Sequence, residues 1–211
     1  EADSSVIAKE TLIVQQQDKQ SPEMVEAKDI IAKAIAAERA ENYESAVVLY
    51  EQAFDKWPSN VNISNRISSL YLNYLRQNAK SLFFAQRTLS VDKGNQVALL
   101  NAGIASANME NTQLAEQYFS QSIQGKNSSK EGFLNYAALK ESKKDYRGSL
   151  SILSQHDQKF GKSLESMVAS ARINDVLGAY ALANNQYREI LNSGYSIPPD
   201  LAKYIRERLE R

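Results

Sequence analysis

The side chains able to do chemistry are few and scattered. His156 is the only histidine and there is no cysteine, so neither a thiolate nucleophile nor a zinc site of paired His or Cys can be assembled. His156 itself falls on the inward stripe of a helical segment and reads as a packed residue. Glu51 and Asp55 lie one helical turn apart, a spacing that suits acid–base work only inside a concave apolar pocket; on an exposed helix they form a solvated face. Ser4-Ser5 and Ser128-Ser129 sit in polar stretches with no base nearby. The eight glycines make no phosphate-cradling loop after a strand. Tyr71 and Tyr74 are able to stack on nucleobases. However, 25 basic residues balance 25 acidic ones, which leaves no long-range field to draw in nucleic acid or an anionic membrane. The expectation is a protein without catalytic, cofactor-binding or metal-ligating residues, that is, not an enzyme.

What remains is a scaffold. A chain of 211 residues, 43% of them hydrophobic, buries a substantial core as one domain or as a repeat array. No stretch reaches the roughly 18 consecutive apolar residues of a membrane-spanning helix. The lack of cysteine leaves the redox compartment open. The first residue is Glu, which reads as a mature or truncated form, with any signal or lipid-attachment segment upstream of Glu1.

Self-similarity supplies the organisation. Small residues recur at Ala46, Ser81, Ala115, Ser149 and Ala183, at one interval of 35 and three of 34. Four residues on, Tyr50, Ala85, Phe119, Leu153 and Tyr187 repeat in the same phase. A third ladder lies upstream at Ala34, Ser68 or Ser69, Gly103, Ala137 and Ala171. Each unit carries two stripes at helical spacing; in the third, Leu99, Ala102, Gly103 and Ser106 form one, and Ala115, Phe119, Ser122 and Ile123 the other. Small residues let paired backbones approach, and the large residue after them fills the gap.

The polar triplets Glu41-Asn42-Tyr43, Glu110-Asn111-Thr112 and Lys144-Asp145-Tyr146 punctuate the paired helices, with Asn or Asp placed to cap the second. The extra residue of the second unit is expected to lengthen its turn near Arg76–Asn78. Ser21-Pro22-Glu23 marks the first helix start. Strand signals are missing. After Ile197-Pro198-Pro199-Asp200, the stripe Leu201, Tyr204, Ile205 and Leu209 belongs to a last helix that caps the open end of the stack. Residues 1–20 read as a partly disordered tail whose Leu12-Ile13-Val14 group is suited to dock on the stack or on a partner.

The segment Glu41-Asn42-Tyr43-Glu44-Ser45-Ala46-Val47-Val48-Leu49-Tyr50-Glu51-Gln52-Ala53-Phe54, closing with Trp57-Pro58, resembles the second helix and exit turn of a tetratricopeptide repeat, as does Asn111 to Ile123. Weaker copies lie around Ser81, Ser149 and Ala183. The resemblance implies an all-α, right-handed superhelical solenoid of about five helix–turn–helix units over residues 21–196 (about 24–60, 61–95, 96–129, 130–163 and 164–196), with residues 197–211 as the cap. Ala171-Arg172-Ile173, Leu177-Gly178 and Tyr187 are similar to the final repeats of bacterial periplasmic lipoproteins that help assemble pili or secretin channels.

In such a stack the first helices line an inner groove suited to a peptide or helix. By phase, the groove residues are Lys28, Asn62, Asn65, Arg66, Asn73, Leu100, Asn101, Ile104, Asn108, Leu134, Asn135, Ala138, Glu141, Val168 and Arg172. Asn101 and Asn135 occupy equivalent sites, so an asparagine ladder pairing with a peptide backbone is one reading; ordinary solvated helix residues are the other. The full Lys and Asn set of a chaperone-type carboxylate clamp is not found. The functional expectation is a protein- or peptide-binding scaffold without nucleic acid, cofactor or transmembrane segment. It is placed in pilus or secretion-system assembly in the bacterial periplasm, tethered to the outer membrane by a lipid anchor upstream of residue 1. The alternative is a cytosolic co-chaperone or regulatory adaptor.

Overall fold

Local rules set by a few polar side chains decide where each helix begins and ends. The computed structural model describes residues 21–210, so the tail with its Leu12-Ile13-Val14 group lies outside the described residues. Among the described residues there are eleven α-helices and no strand, in two compact units that divide between Lys93 and Gly94.

The first unit contains α1 (Pro22–Arg39), α2 (Tyr43–Lys56), α3 (Val61–Asn73) and α4 (Asn78–Val91), packed as the hairpins α1/α2 and α3/α4 with α2 also against α3. Ser21 caps α1 by accepting the Met24 N–H at 3.2 Å, with Pro22 in the first turn where its missing N–H costs nothing. The second unit contains α5 (Gln96–Asn108), α6 (Thr112–Gln124), α7 (Lys130–Ser142), α8 (Tyr146–Phe160), α9 (Leu164–Val176), α10 (Tyr180–Leu191) and α11 (Pro199–Leu209). Its hairpins are α5/α6, α7/α8 and α9/α10.

The turns inside the hairpins share one device. Glu41, Glu110 and Lys144 sit in the left-handed region at φ 58°, 62° and 60°. The next residue sends its N–H five residues back: Asn42 to the Ala37 carbonyl, Asn111 to Ser106 and Asp145 to Lys140, each at 2.9 Å. That is a Schellman closure. The same Asn or Asp side chain then accepts an N–H from the helix it starts, at Ser45, Leu114 and Gly148. One residue therefore closes one helix and opens the next. Gly178, at φ 78°, fills the left-handed position in the fifth hairpin, where Ala179 follows without a side-chain cap. In the second hairpin Arg76 takes it at φ 55°, and the Gln77 N–H reaches six residues back to Tyr71. The extra residue thus lies in this turn, where the period places it.

The small-residue ladders are the helix contacts. Ala34 and Ala46, Ser68 and Ser81, Gly103 and Ala115, Ala137 and Ser149, and Ala171 and Ala183 are all buried. The buried serines stay satisfied: Ser68 Oγ donates to the Ser81 carbonyl at 2.9 Å and Ser149 Oγ to the Ala137 carbonyl at 2.8 Å. Large residues such as Phe119, Leu153 and Tyr187 fill the space beside them, each burial contributing roughly 1.5–3 kcal/mol. At the C-terminal end, Ile205 is fully buried against Met167, Ala171 and Tyr187, with Leu201, Tyr204 and Leu209 packed around it. The stripe read from the sequence thus forms a helix covering the α9/α10 hairpin.

Candidate partner-binding groove

Each unit carries a depression between two consecutive first helices. In the first unit it measures about 440 Å³. Ile31 on α1, Tyr50 on α2 and Ile63 on α3 line it, with the half-buried Trp57 at the end of α2. The half-buried Asn60 and the exposed Lys28, Asn62 and Arg66 complete the lining. In the second unit a depression of about 160 Å³ is lined by Leu134, Ala138 and Glu141 of α7, by Ser149 and Leu153 of α8, and by Glu165, Ala169 and Arg172 of α9.

The two arginines are held alike. Arg66 grips Glu38 with Nε and an Nη at 2.6 Å each. Arg172 grips Glu141 at 2.9 and 2.8 Å. Each bidentate pair links one first helix to the next within its unit, and this geometry gives direction as well as attraction. Hydrogen bonding to the carboxylate raises the pKa of both guanidiniums further. Half-exposed pairs of this kind contribute only about 0–1 kcal/mol. Arg66 lines the first depression, and Glu141 and Arg172 line the second.

The sequence-derived groove residues divide into three groups. Lys28, Asn62, Arg66, Leu134, Ala138, Glu141 and Arg172 line one depression or the other. Asn73 and Asn108 are exposed at the ends of α3 and α5. The rest belong more to packing. Asn65 and Val168 are half-buried, while Leu100 and Ile104 pack on Ala115, Phe119 and Leu139.

Asn101 requires a correction: it is only 5% exposed and belongs to the interior of α5. Its equivalent, Asn135, is half-buried and donates its amide to the Glu131 carbonyl of its own helix at 2.9 Å. The two do not form an accessible asparagine ladder. The signal was present in the sequence, because α5 is apolar or small around nearly its whole circumference, and a helix of that kind is buried on all sides. Conversely, the sequence spacing assigns the groove floor residues Tyr50 and Trp57 only to the core and the exit turn. Trp57 is the chain's single tryptophan.

Away from the groove, His156 is fully buried, with Nδ1 2.8 Å from Asp157 Oδ1 and its ring against Phe133 and Phe160. No substrate reaches it there. Glu51 accepts a hydrogen bond from the Tyr71 hydroxyl, whose pKa is pushed up by burial and by that carboxylate. Among the described residues no group of three or more His, Asp or Glu is placed to hold a metal ion. No described helix is long and apolar enough to cross a membrane. The two depressions combine apolar floors with charged rims.

No family model matches the sequence, and no curated protein does. Solved structures do match. A tetratricopeptide repeat protein from Parabacteroides merdae superposes with a TM-score of 0.68 at 21% identity, over 99% of this chain and 84% of its own. PilW, a type IV pilus biogenesis factor, gives 0.71 at 16% identity, over 87% and 86%. YrrB, a tetratricopeptide protein with an unusual peptide-binding site, gives 0.66 at 12% identity, over 84% and 90%. The chain has the tetratricopeptide-repeat fold. In that fold the first helices are α1, α3, α5, α7 and α9, and both depressions lie between members of that set.

Proposed function

We propose that this tetratricopeptide protein is a non-catalytic scaffold that holds a peptide or helix of another protein along its first helices. The observation that carries the reading is the pair of apolar-floored depressions, each braced by an Arg–Glu fork between consecutive first helices. A floor of Ile31, Tyr50, Trp57 and Ile63 accepts a bulky apolar side chain. Asn62 and Lys28 offer donors to the backbone or an acidic neighbour. We further place the scaffold in the assembly of a pilus or secretion machine at the bacterial outer membrane, held in the periplasm by a lipid anchor upstream of Glu1. The fold likeness to PilW and the sequence pattern of the last repeats support this finer reading.

The test is photo-crosslinking in the native cell, with a photoreactive residue at Asn62, at Ala138 or, as a control outside the groove, at the exposed Ser151 of α8. One protein partner should be captured from Asn62 and Ala138 but not from Ser151. Capture from Ser151 alone would refute the groove, and a cytosolic chaperone as the captured partner would refute the envelope assignment.

A further inference from the structure

Although the whole chain is neutral, residues 56–91 hold five basic residues and no acidic one. Two of the five are committed: Lys56 pairs with Glu26 at 2.5 Å and Arg66 with Glu38. Among the described residues, Arg76, Lys80 and Arg87 have no carboxylate partner. Arg76 stands in the turn before α4, and Lys80 and Arg87 are exposed on α4.

These three are spaced four and seven residues apart, with Phe83 between the last two. Lys80, Phe83 and Arg87 therefore run as one stripe along α4, and Arg76 stands in the turn just before its start. Phe83 is 55% exposed, and Val91, one turn beyond Arg87, is 56% exposed. The buried side of α4 is made by Ser81, Phe84, Ala85 and Thr88, so the stripe lies outside the core and outside the groove.

The equivalent of Phe83 in the preceding second helix is Val48, also exposed at 53%, whereas the second unit has Gln117, Ser151 and Asn185 in that position. Only the first unit thus presents apolar side chains there. Its cations are held in place, because Lys80 Nζ lies over the Tyr71 ring at 5.2 Å and the Arg87 guanidinium over Phe54 at 5.8 Å.

We infer that the Lys80–Phe83–Arg87 stripe, with Arg76 in the turn before it, is a second docking surface, which takes an acidic amphipathic helix of a protein partner. Carboxylates one to two turns apart meet the three cations, and an apolar residue between them covers Phe83. Charge complementarity selects this occupant. Two cations at helical pitch, each anchored on an aromatic ring, with Phe83 between them and Arg76 in the turn before the helix, match side chains on a facing helix. They are too few to neutralise the run of phosphates on which nucleic-acid binding rests, and a lipid surface has no use for a fixed pitch.

The experiment uses the full chain and fluorescence anisotropy with three probes. The first is a terminally blocked, dye-labelled helical peptide with Glu one turn to either side of a Leu. The second is the same peptide with Lys in place of Glu, and the third is vesicles of equimolar phosphatidylglycerol and phosphatidylcholine. The Glu peptide should bind saturably and roughly tenfold tighter than the Lys peptide, less so in high salt. Lys80→Glu with Arg87→Glu should invert that preference, and Phe83→Ser should weaken both complexes. Ala138→Trp, which fills the second-unit groove, should change nothing.

Circular dichroism checks that each variant folds. If the double reversal does not fold, Lys80→Gln with Arg87→Gln must still abolish the preference. The inference is overturned if the Glu peptide does not bind, if the preference survives charge removal, or if only the vesicles bind through these residues.

Discussion

Gly103 offers the sharpest test of the packing logic, because two effects of known size oppose each other there. Replacing a mid-helix glycine by alanine ordinarily stabilises a helix by about 1 kcal/mol. A Cβ at 103, however, would lie 2.4 Å from Phe119 Cε1, 2.6 Å from Cδ1 and 2.9 Å from Cζ. Ordinary contact begins about 1 Å further out. Phe119 is 2% exposed and packed with Ala115 and Leu139, so its ring has no free space to enter. Overpacking of this kind costs about 1–3 kcal/mol, and a clash with three ring atoms belongs at the upper end. Gly103→Ala should therefore destabilise by about 2 kcal/mol after the propensity gain, lowering the melting temperature by about 4–8 °C. Phe119→Leu in the same chain should relieve the clash, so that the double variant loses less than the two single losses summed. Thermal and urea unfolding followed by circular dichroism measure all three. A rise in stability for Gly103→Ala, or strict additivity with Phe119→Leu, would refute the proposed contact between α5 and α6.

Ala115→Leu inserts bulk into the same contact from the α6 side and should cost roughly 1–3 kcal/mol by urea titration. Glu116 accepts from Lys140 at 2.6 Å and from Lys143 at 2.8 Å, and these partners hold its carboxyl at about 2 against an ordinary 4.5. Its folded pKa is depressed, so its contribution is present above pH 4.5 and disappears as the pH falls towards 2. Glu116→Gln should flatten the stability–pH curve in that window, by about 1 kcal/mol once solvent screening is allowed for; an unchanged acid limb in pH-dependent unfolding would refute the pairing. Asn101→Ala should cost more than about 1 kcal/mol, because it empties a buried position, whereas Asp55→Ala at an exposed one should stay within about 0.5 kcal/mol. Equal melting temperatures for the two would contradict the burial of Asn101. Lys28→Glu should leave stability unchanged and alter the response of Trp57 emission to bound peptides, which fluorescence titration reads directly.

The hairpin framework was legible in the sequence because it depends on size and polarity at fixed intervals. Ala46, Ser81, Ala115, Ser149 and Ala183 occupy the contact positions their period assigns them, and Asn42, Asn111 and Asp145 cap the helices they precede. The groove was legible only in part. Phase alone distinguishes the front of a helix from its back, but not a helix with one buried face from one with several. Phase alone therefore puts Asn101 on an open wall that α5 does not have. Long-range pairing was also out of reach: Glu38 with Arg66 and Glu141 with Arg172 sit 28 and 31 residues apart. Charge pattern alone cannot say which carboxylate a given arginine will find.

The same features explain how the fold survives with little of its usual sequence. A helical hairpin needs a small residue on each backbone, one large residue to fill the gap, and a polar residue that closes one helix while opening the next. Alanine, serine and glycine satisfy the first requirement interchangeably here, provided a buried hydroxyl finds a carbonyl, as Ser68 and Ser149 do. The left-handed turn position is filled by Glu41, Arg76, Glu110 and Lys144, and by glycine only at Gly178. At roughly 1–2 kcal/mol per strained residue, the three Schellman closures and their shared Asn and Asp caps must outweigh that strain. None of these requirements fixes a residue type, so the chain keeps the fold although no family model matches its sequence. Among the positions the scaffold leaves free are those lining the two depressions and the Lys80–Phe83–Arg87 stripe, and there the repeats differ from one another.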